Sequence, residues 1–81
     1  MRRYKIIVPE LGIDGQRISL GLWLLERGAA VVAGEPVVEL LAGEVVVDLS
    51  AAADGILAEK FVGEDEPVEP GRCLGIIEAE E

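Results

Sequence analysis

Few residues in this chain can do chemistry, and their types exclude most of it. There is no histidine, and Cys73 is the single cysteine. A Cys–His nucleophile, a Cys/His zinc site and an internal disulfide are therefore all unavailable. Cys73 is expected to behave as a small hydrophobe on or beside the last strand. Carboxylates are more plentiful. Glu64-Asp65-Glu66 gathers three of them, but in a turn such a run is expected to be a solvated face rather than a metal site. Glu39 and Asp48 would approach each other across a hairpin, yet general acid–base work needs a pocket, and a small sandwich filled by its own side chains rarely has one. Lys5 and Lys60 are the only lysines. No catalytic residue and no metal ligand is assigned. What remains is the pair Gly43-Glu44, which interrupts two apolar runs.

Those runs, Pro36 to Leu41 and Val45 to Leu49, are rich in β-branched residues and lack helical spacing, so they are predicted to form two strands of a tight hairpin. Gly43 suits the corner because it accepts positive φ without a Cβ clash. The tip would hold Gly43 and Glu44 out to solvent, as the part of the chain best placed to meet a partner.

The bulk properties narrow the partner. At 81 residues the chain is one domain with one core. It is 51% hydrophobic and only 4% aromatic, so the core must be aliphatic. A net charge of −9 argues against nucleic acid and against an anionic membrane surface. No apolar run approaches the roughly 20 residues of a membrane-spanning helix, and Met-Arg-Arg followed by a strand-like run is a poor signal peptide. The unpaired cysteine fits a reducing compartment, and a cytoplasmic location is expected.

Around the hairpin the chain is predicted to be short strands throughout. Tyr4 to Val8 is the first, closed by Pro9; Leu11 to Arg17 is a loop. Ile18 to Leu25 alternates as a strand and contains Trp23, expected to pack in or half in the core. Val31 to Gly34, Ala51 to Gly55, Gly63 to Pro67 and Pro70-Gly71 are turns. Ile56 to Val62 and Leu74 to Glu78 are the remaining strands. Residues 1–78 form the domain, and 79–81 are expected to be a frayed end or the start of a linker.

A shift of 37 lays the chain over itself. Leu20 falls on Leu57, Leu24 on Phe61, Val31 on Val68, Gly34 on Gly71, Val37 on Leu74 and Leu40 on Ile77. Neither half can bury its apolar face alone, so the fold class is all-β: two small antiparallel sheets packed about a pseudo-twofold axis as a flattened barrel-sandwich. Val37, Leu40, Leu74 and Ile77 are expected in its core.

The residues Val8-Pro9-Glu10-Leu11-Gly12, Trp23-Leu24, Gly28, Val31 and Gly34-Glu35-Pro36-Val37-Val38-Glu39 resemble the lipoyl domain of 2-oxo acid dehydrogenase acyltransferases. Gly55-Ile56-Leu57, Val68-Glu69-Pro70-Gly71 and Leu74-Gly75-Ile76-Ile77-Glu78 continue the pattern to the end of the domain. The resemblance implies two small antiparallel sheets related by a quasi-twofold axis, as the repeat does. The biotinyl carrier domain shares that fold, but its attachment motif sets methionine beside the lysine, and the only methionine here is Met1.

The departure falls on the position that carries the family's chemistry. Lipoyl domains place Asp-Lys at the hairpin tip, and the lysine amine forms an amide with lipoic acid. Gly43-Glu44 stands there instead. The resemblance thus implies a degenerate attachment tip, with no lipoyl group and no other cofactor. Lys5 and Lys60 are expected within strands, without the exposed turn a lipoyl ligase reads. Ser50-Ala51-Ala52-Ala53 also replaces a stretch that in the family often contains proline. The expected function is that of a non-catalytic binding or spacing module associated with a 2-oxo acid dehydrogenase complex, as the N-terminal part of a dihydrolipoamide acyltransferase or related subunit. The alternatives are a free-standing lipoyl-like adaptor that contacts a protein partner through the tip and, as a weaker reading, an acyl carrier modified at Lys5 or Lys60.

Overall fold

The computed structural model describes residues 1–11 and 17–79. Eight strands make up the fold: β1 (Arg2–Ile7), β2 (Ile18–Trp23), β3 (Ala30–Val31), β4 (Pro36–Ala42), β5 (Val45–Ser50), β6 (Gly55–Lys60), β7 (Pro67–Val68) and β8 (Cys73–Ala79). They form two four-stranded sheets with the orders β1-β8-β6-β3 (sheet 1) and β5-β4-β2-β7 (sheet 2). Every pairing between them is antiparallel.

Exchanging β1 with β5, β2 with β6, β3 with β7 and β4 with β8 turns one order into the other, and each sheet mixes strands from both halves of the repeat. The shift of 37 carries β2 onto β6, β3 onto β7 and β4 onto β8 residue for residue. It also carries the bulge between Leu20 and Leu22 onto the one between Leu57 and Glu59. The connections repeat too. Gly28 N–H donates to Leu57 O at 2.7 Å while Asp65 N–H donates to Leu20 O at 2.8 Å. Gly34 N–H donates to Ala51 O at 2.9 Å and Gly71 N–H to Val8 O at 2.8 Å. Each turn is therefore tied to the other half, which is why neither half stands alone.

The last pair also shows that β1 corresponds to β5, although at a shift of 43 (Val8 to Ala51). The link from β1 to β2 has ten residues, 8–17, against four, 51–54, between β5 and β6. That difference of six hides the equivalence from a fixed-shift comparison. The predicted loop from Leu11 to Arg17 lies mostly outside the described residues.

The core is aliphatic, as the composition requires. Leu20, Val37, Val38, Leu40, Leu57 and Leu74 are fully buried, Ile77 nearly so. Val37, Leu40, Leu74 and Ile77, expected in the core, are all there. Trp23 packs against the cluster half-buried. Two expectations need correction. Val31 and Pro67, assigned to turns, take part in the two-residue strands β3 and β7, because each short strand pairs at two positions with the edge of its sheet. Ala79, expected to fray, ends β8, where it pairs with Arg2 and is 2% exposed. Glu80 and Glu81 lie outside the described residues.

Candidate functional site: the hairpin tip and the sheet face beneath it

β4 and β5 pair from Leu40↔Val47 through Leu41↔Val46 to Ala42↔Val45, leaving Gly43 and Glu44 as a two-residue loop. Gly43 has φ 64, while Glu44 does not have positive φ. Glycine at the first central position with an ordinary second residue is the pattern of a type II′ hairpin, whose twist suits the flanking strands. The loop presents the Glu44 carboxylate as an exposed group. Ile18 pairs with Ala42 on the other side of β4, so Arg17 emerges from β2 beside the tip. The symmetry sets the tip's position in the molecule. β2 and β6 both run toward the pseudo-axis and end there at Trp23 and Lys60. The tip and the paired residues Arg2 and Ala79 therefore lie at opposite ends of a body 40 Å long and about 20 Å across.

Alternation along the strands sets what lies beneath the tip. The inward row Leu20–Leu40–Val47 belongs to the core. The outward rows are Ser19–Leu41–Val46 and Leu22–Glu39–Asp48. Glu39 and Asp48 do meet directly across the hairpin, as expected, but on a face open to solvent: Asp48 is exposed and Glu39 half-buried. Two like charges opposed in this way oppose pairing rather than build a site. Leu22, Leu41 and Val46 are exposed around them, and Val45, on the other face of β5, is exposed beside the tip.

The other candidates lie elsewhere and have structural work. Glu66 accepts the Gly63 N–H at 2.7 Å, and Glu64 accepts the Trp23 N–H at 3.2 Å. Glu66 thus closes the backbone of the exposed turn, and Glu64 ties the turn to the end of β2. Cys73 opens β8, half-buried, with its thiol toward Gly75 O at 3.4 Å. Lys5 is exposed within β1, opposite Ile76. Lys60, half-buried in β6, holds its ammonium 5.1 Å from the centroid of the Trp23 ring. Neither lysine stands in a turn. Sequence reasoning missed the exposed face of sheet 2 and the open edge of β5, although Val45-Val46-Val47 without a nearby cation was a visible signal.

The family model described as "Biotin-requiring enzyme" matches residues 4–77. The chain is 36% identical, over 93% of its length, to the dihydrolipoyllysine-residue succinyltransferase component of the 2-oxoglutarate dehydrogenase complex of Bartonella vinsonii subsp. berkhoffii. It is 37% identical, over 74% of its length, to the mitochondrial pyruvate dehydrogenase protein X component of Mus musculus. It spans 18% and 12% of the lengths of those two proteins. Among solved structures, the lipoyl domain of the 2-oxoglutarate dehydrogenase complex from Azotobacter vinelandii superposes with a TM-score of 0.73 at 26% identity, covering 100% of both chains.

Proposed function

The chain belongs to the biotinyl/lipoyl domain family, and from that premise we propose that it is a lipoyl-type domain that carries no lipoyl group. In this reading it serves a 2-oxo acid dehydrogenase complex as a non-catalytic binding or spacing module, within a dihydrolipoamide acyltransferase or a related subunit. The observation that carries the reading is Glu44, a carboxylate at the hairpin tip. Amide formation with lipoic acid needs an amine nucleophile, and a carboxylate has none. Lys5 and Lys60 are poor substitutes, since each is held in a strand and Lys60 is also engaged with Trp23. The relatives named for dehydrogenase complexes support the complex as the setting. A cytoplasmic protein partner, rather than membrane or nucleic acid, agrees with the net charge of −9 and the unpaired cysteine.

Expression with lipoate and a lipoate ligase, followed by intact-mass measurement, tests the first half of the reading. The expected result is the unmodified mass; a lipoyl adduct on Lys5 or Lys60 overturns it. Sedimentation with the purified dehydrogenase and acyltransferase subunits of a 2-oxoglutarate complex tests the second half. Co-migration is expected, and its absence removes the complex as the setting.

A further inference from the structure

β1 and β5 occupy equivalent edges of the two sheets, and among the described residues each pairs on one side only, β1 with β8 and β5 with β4. The fold asks the same of both, but their sequences differ sharply. β1 reads Arg-Arg-Tyr-Lys-Ile-Ile and carries three of the chain's seven cations. β5 reads Val-Val-Val-Asp-Leu-Ser and carries none. An open edge is a template for another strand, and proteins ordinarily blunt it with charge, lysine above all. β1 is blunted in this way. β5 leaves Val45 52% and Val46 54% exposed, a composition that intramolecular packing does not demand.

The stretch of chain that holds β5 carries charge of one sign, and Arg17 at the start of β2 is the cation set beside the tip. From Gly28 to Glu59 there is no lysine or arginine, while Glu35, Glu39, Glu44, Asp48, Asp54 and Glu59 lie in that stretch. Glu59 meets Arg27 at 3.8 Å. Glu39, Glu44 and Asp48 surround the apolar patch of Leu22, Leu41 and Val46, and among the described residues none of the three makes an ion pair.

We propose that the open edge of β5 is the docking site for an extended partner segment bearing apolar and cationic residues, which joins sheet 2 as a further strand. The proposal rests on the reading of the tip end as a protein-binding surface and names the partner's chemistry. Val46 and Asp48 lie two residues apart and share a face, so the added strand sets an apolar side chain beside Val46 and a lysine or arginine beside Asp48. A further cation at the tip meets Glu44. A second copy of this chain is the poorer occupant. Two β5 edges would bring their Asp48 and Glu44 carboxylates together, and in β1 Arg3 already pairs with Glu78 of its own molecule.

The test titrates 15N-labelled protein with a capped Val-Lys peptide of about eight residues, strand length, in the repeat Val-Val-Lys-Lys that sets valine and lysine alternately along each face, and with a Val-Glu peptide of the same repeat as control. The protein is first shown by mass to be unmodified, so failure of docking and failure of the unmodified reading are seen separately. The expected result is saturable binding of the Val-Lys peptide alone, with shift changes confined to residues 44–50 and the adjoining Leu22 and Leu41. Val46→Lys, which gives β5 the protection β1 has, should weaken binding by about tenfold or more while leaving the rest of the spectrum in place. Asp48→Lys, at an exposed position, should abolish binding of the Val-Lys peptide and admit the Val-Glu one. Absence of saturable binding, shifts centred on β1 or on the chain ends, or indifference to both substitutions would overturn the proposal. So would a concentration-dependent dimer that Val46→Lys dissolves, since the occupant would then be a second copy.

Discussion

Trp23 and Lys60 hold the same place in the two halves of the repeat, and they touch: the Lys60 ammonium lies 5.1 Å from the centroid of the Trp23 ring. Two equivalent positions can meet only near the axis that relates them, so this pair marks the centre of the molecule. It is also where the halves specialise. The indole Nε1–H donates to Val62 O at 2.9 Å, and its ring reaches the space above Gly75, where an added Cβ would stand 3.1 Å from it. A ring on one side and a cation on the other avoid the repulsion of two lysines and the crowding of two indoles.

The contact should be measurable as coupling. In a double-mutant cycle of Trp23→Leu and Lys60→Met, the coupling energy is expected to be about 0.5–1 kcal/mol, the range of a partly exposed cation–π pair. Trp23→Phe keeps a ring but removes the donor to Val62, and should cost about 1 kcal/mol further through the lost hydrogen bond. Urea melts supply both numbers. A coupling indistinguishable from zero would mean that the two side chains are neighbours without attraction.

Leu40 and Ile77 are likewise equivalent, and both are buried, at 0% and 1% exposure. Each pairs with the equivalent leucine of its own half, Leu40 opposite Leu20 and Ile77 opposite Leu57. Truncating either to Ala should cost about 2–5 kcal/mol, a large part of the total for a domain of this size. Glu69→Ala, at an exposed turn, should stay within about 0.5 kcal/mol. Similar losses at the two core sites, and a much smaller one at Glu69, are the expected pattern in urea melts.

Much of this was legible because the repeat is written in residues that the core and the turns both require. Leu40 and Ile77 keep register with Gly34 and Gly71, whose φ values of 88 and 91 few other residues accept. The equivalence of β1 and β5 was not legible, since one link is longer and the edge strands share no pattern once exposed. Asp65 was not legible either. It has φ 70 where its counterpart Gly28 has φ 94, and aspartate is among the few side chains that tolerate that region. At the tip, Gly43 as the corner was plain from sequence. The solvent-facing apolar patch was not, because Val46 differs from a core valine only by the face on which alternation places it.

Gly55 offers a sharper test of backbone packing. A Cβ there would fall 2.1 Å from Glu78 O, backbone against backbone, with no flexible side chain to give way. Gly55→Ala should cost about 1–3 kcal/mol or more as an overpacked site. At Gly34, where nothing lies within 4 Å of an added Cβ, Ala should cost about 1 kcal/mol, from positive φ alone. Thermal melts of the two variants should preserve that order.

The tip itself can be asked whether only its chemistry has changed. Glu44 has ordinary φ in an exposed two-residue turn, so Glu44→Lys should alter stability by no more than about 0.5 kcal/mol. It would place an amine at the end of the hairpin, where it can attack the activated carboxyl of lipoate and form the amide. Restoring the preceding aspartate as well is costlier, because Gly43 sits at φ 64. A Cβ there costs about 1 kcal/mol or more and works against the type II′ turn. Glu44→Lys and the double variant Gly43→Asp, Glu44→Lys are therefore to be incubated side by side with lipoate, ATP and a lipoate ligase. The expected outcome is one lipoyl adduct, localised by peptide mass spectrometry to residue 44, in the single variant at undiminished stability. The double variant should carry the same adduct at a lower melting temperature. If both variants fold and neither is modified, the turn has diverged from the attachment geometry as well as from its chemistry. Kinship with lipoyl domains would then extend to the sheets but not to the tip.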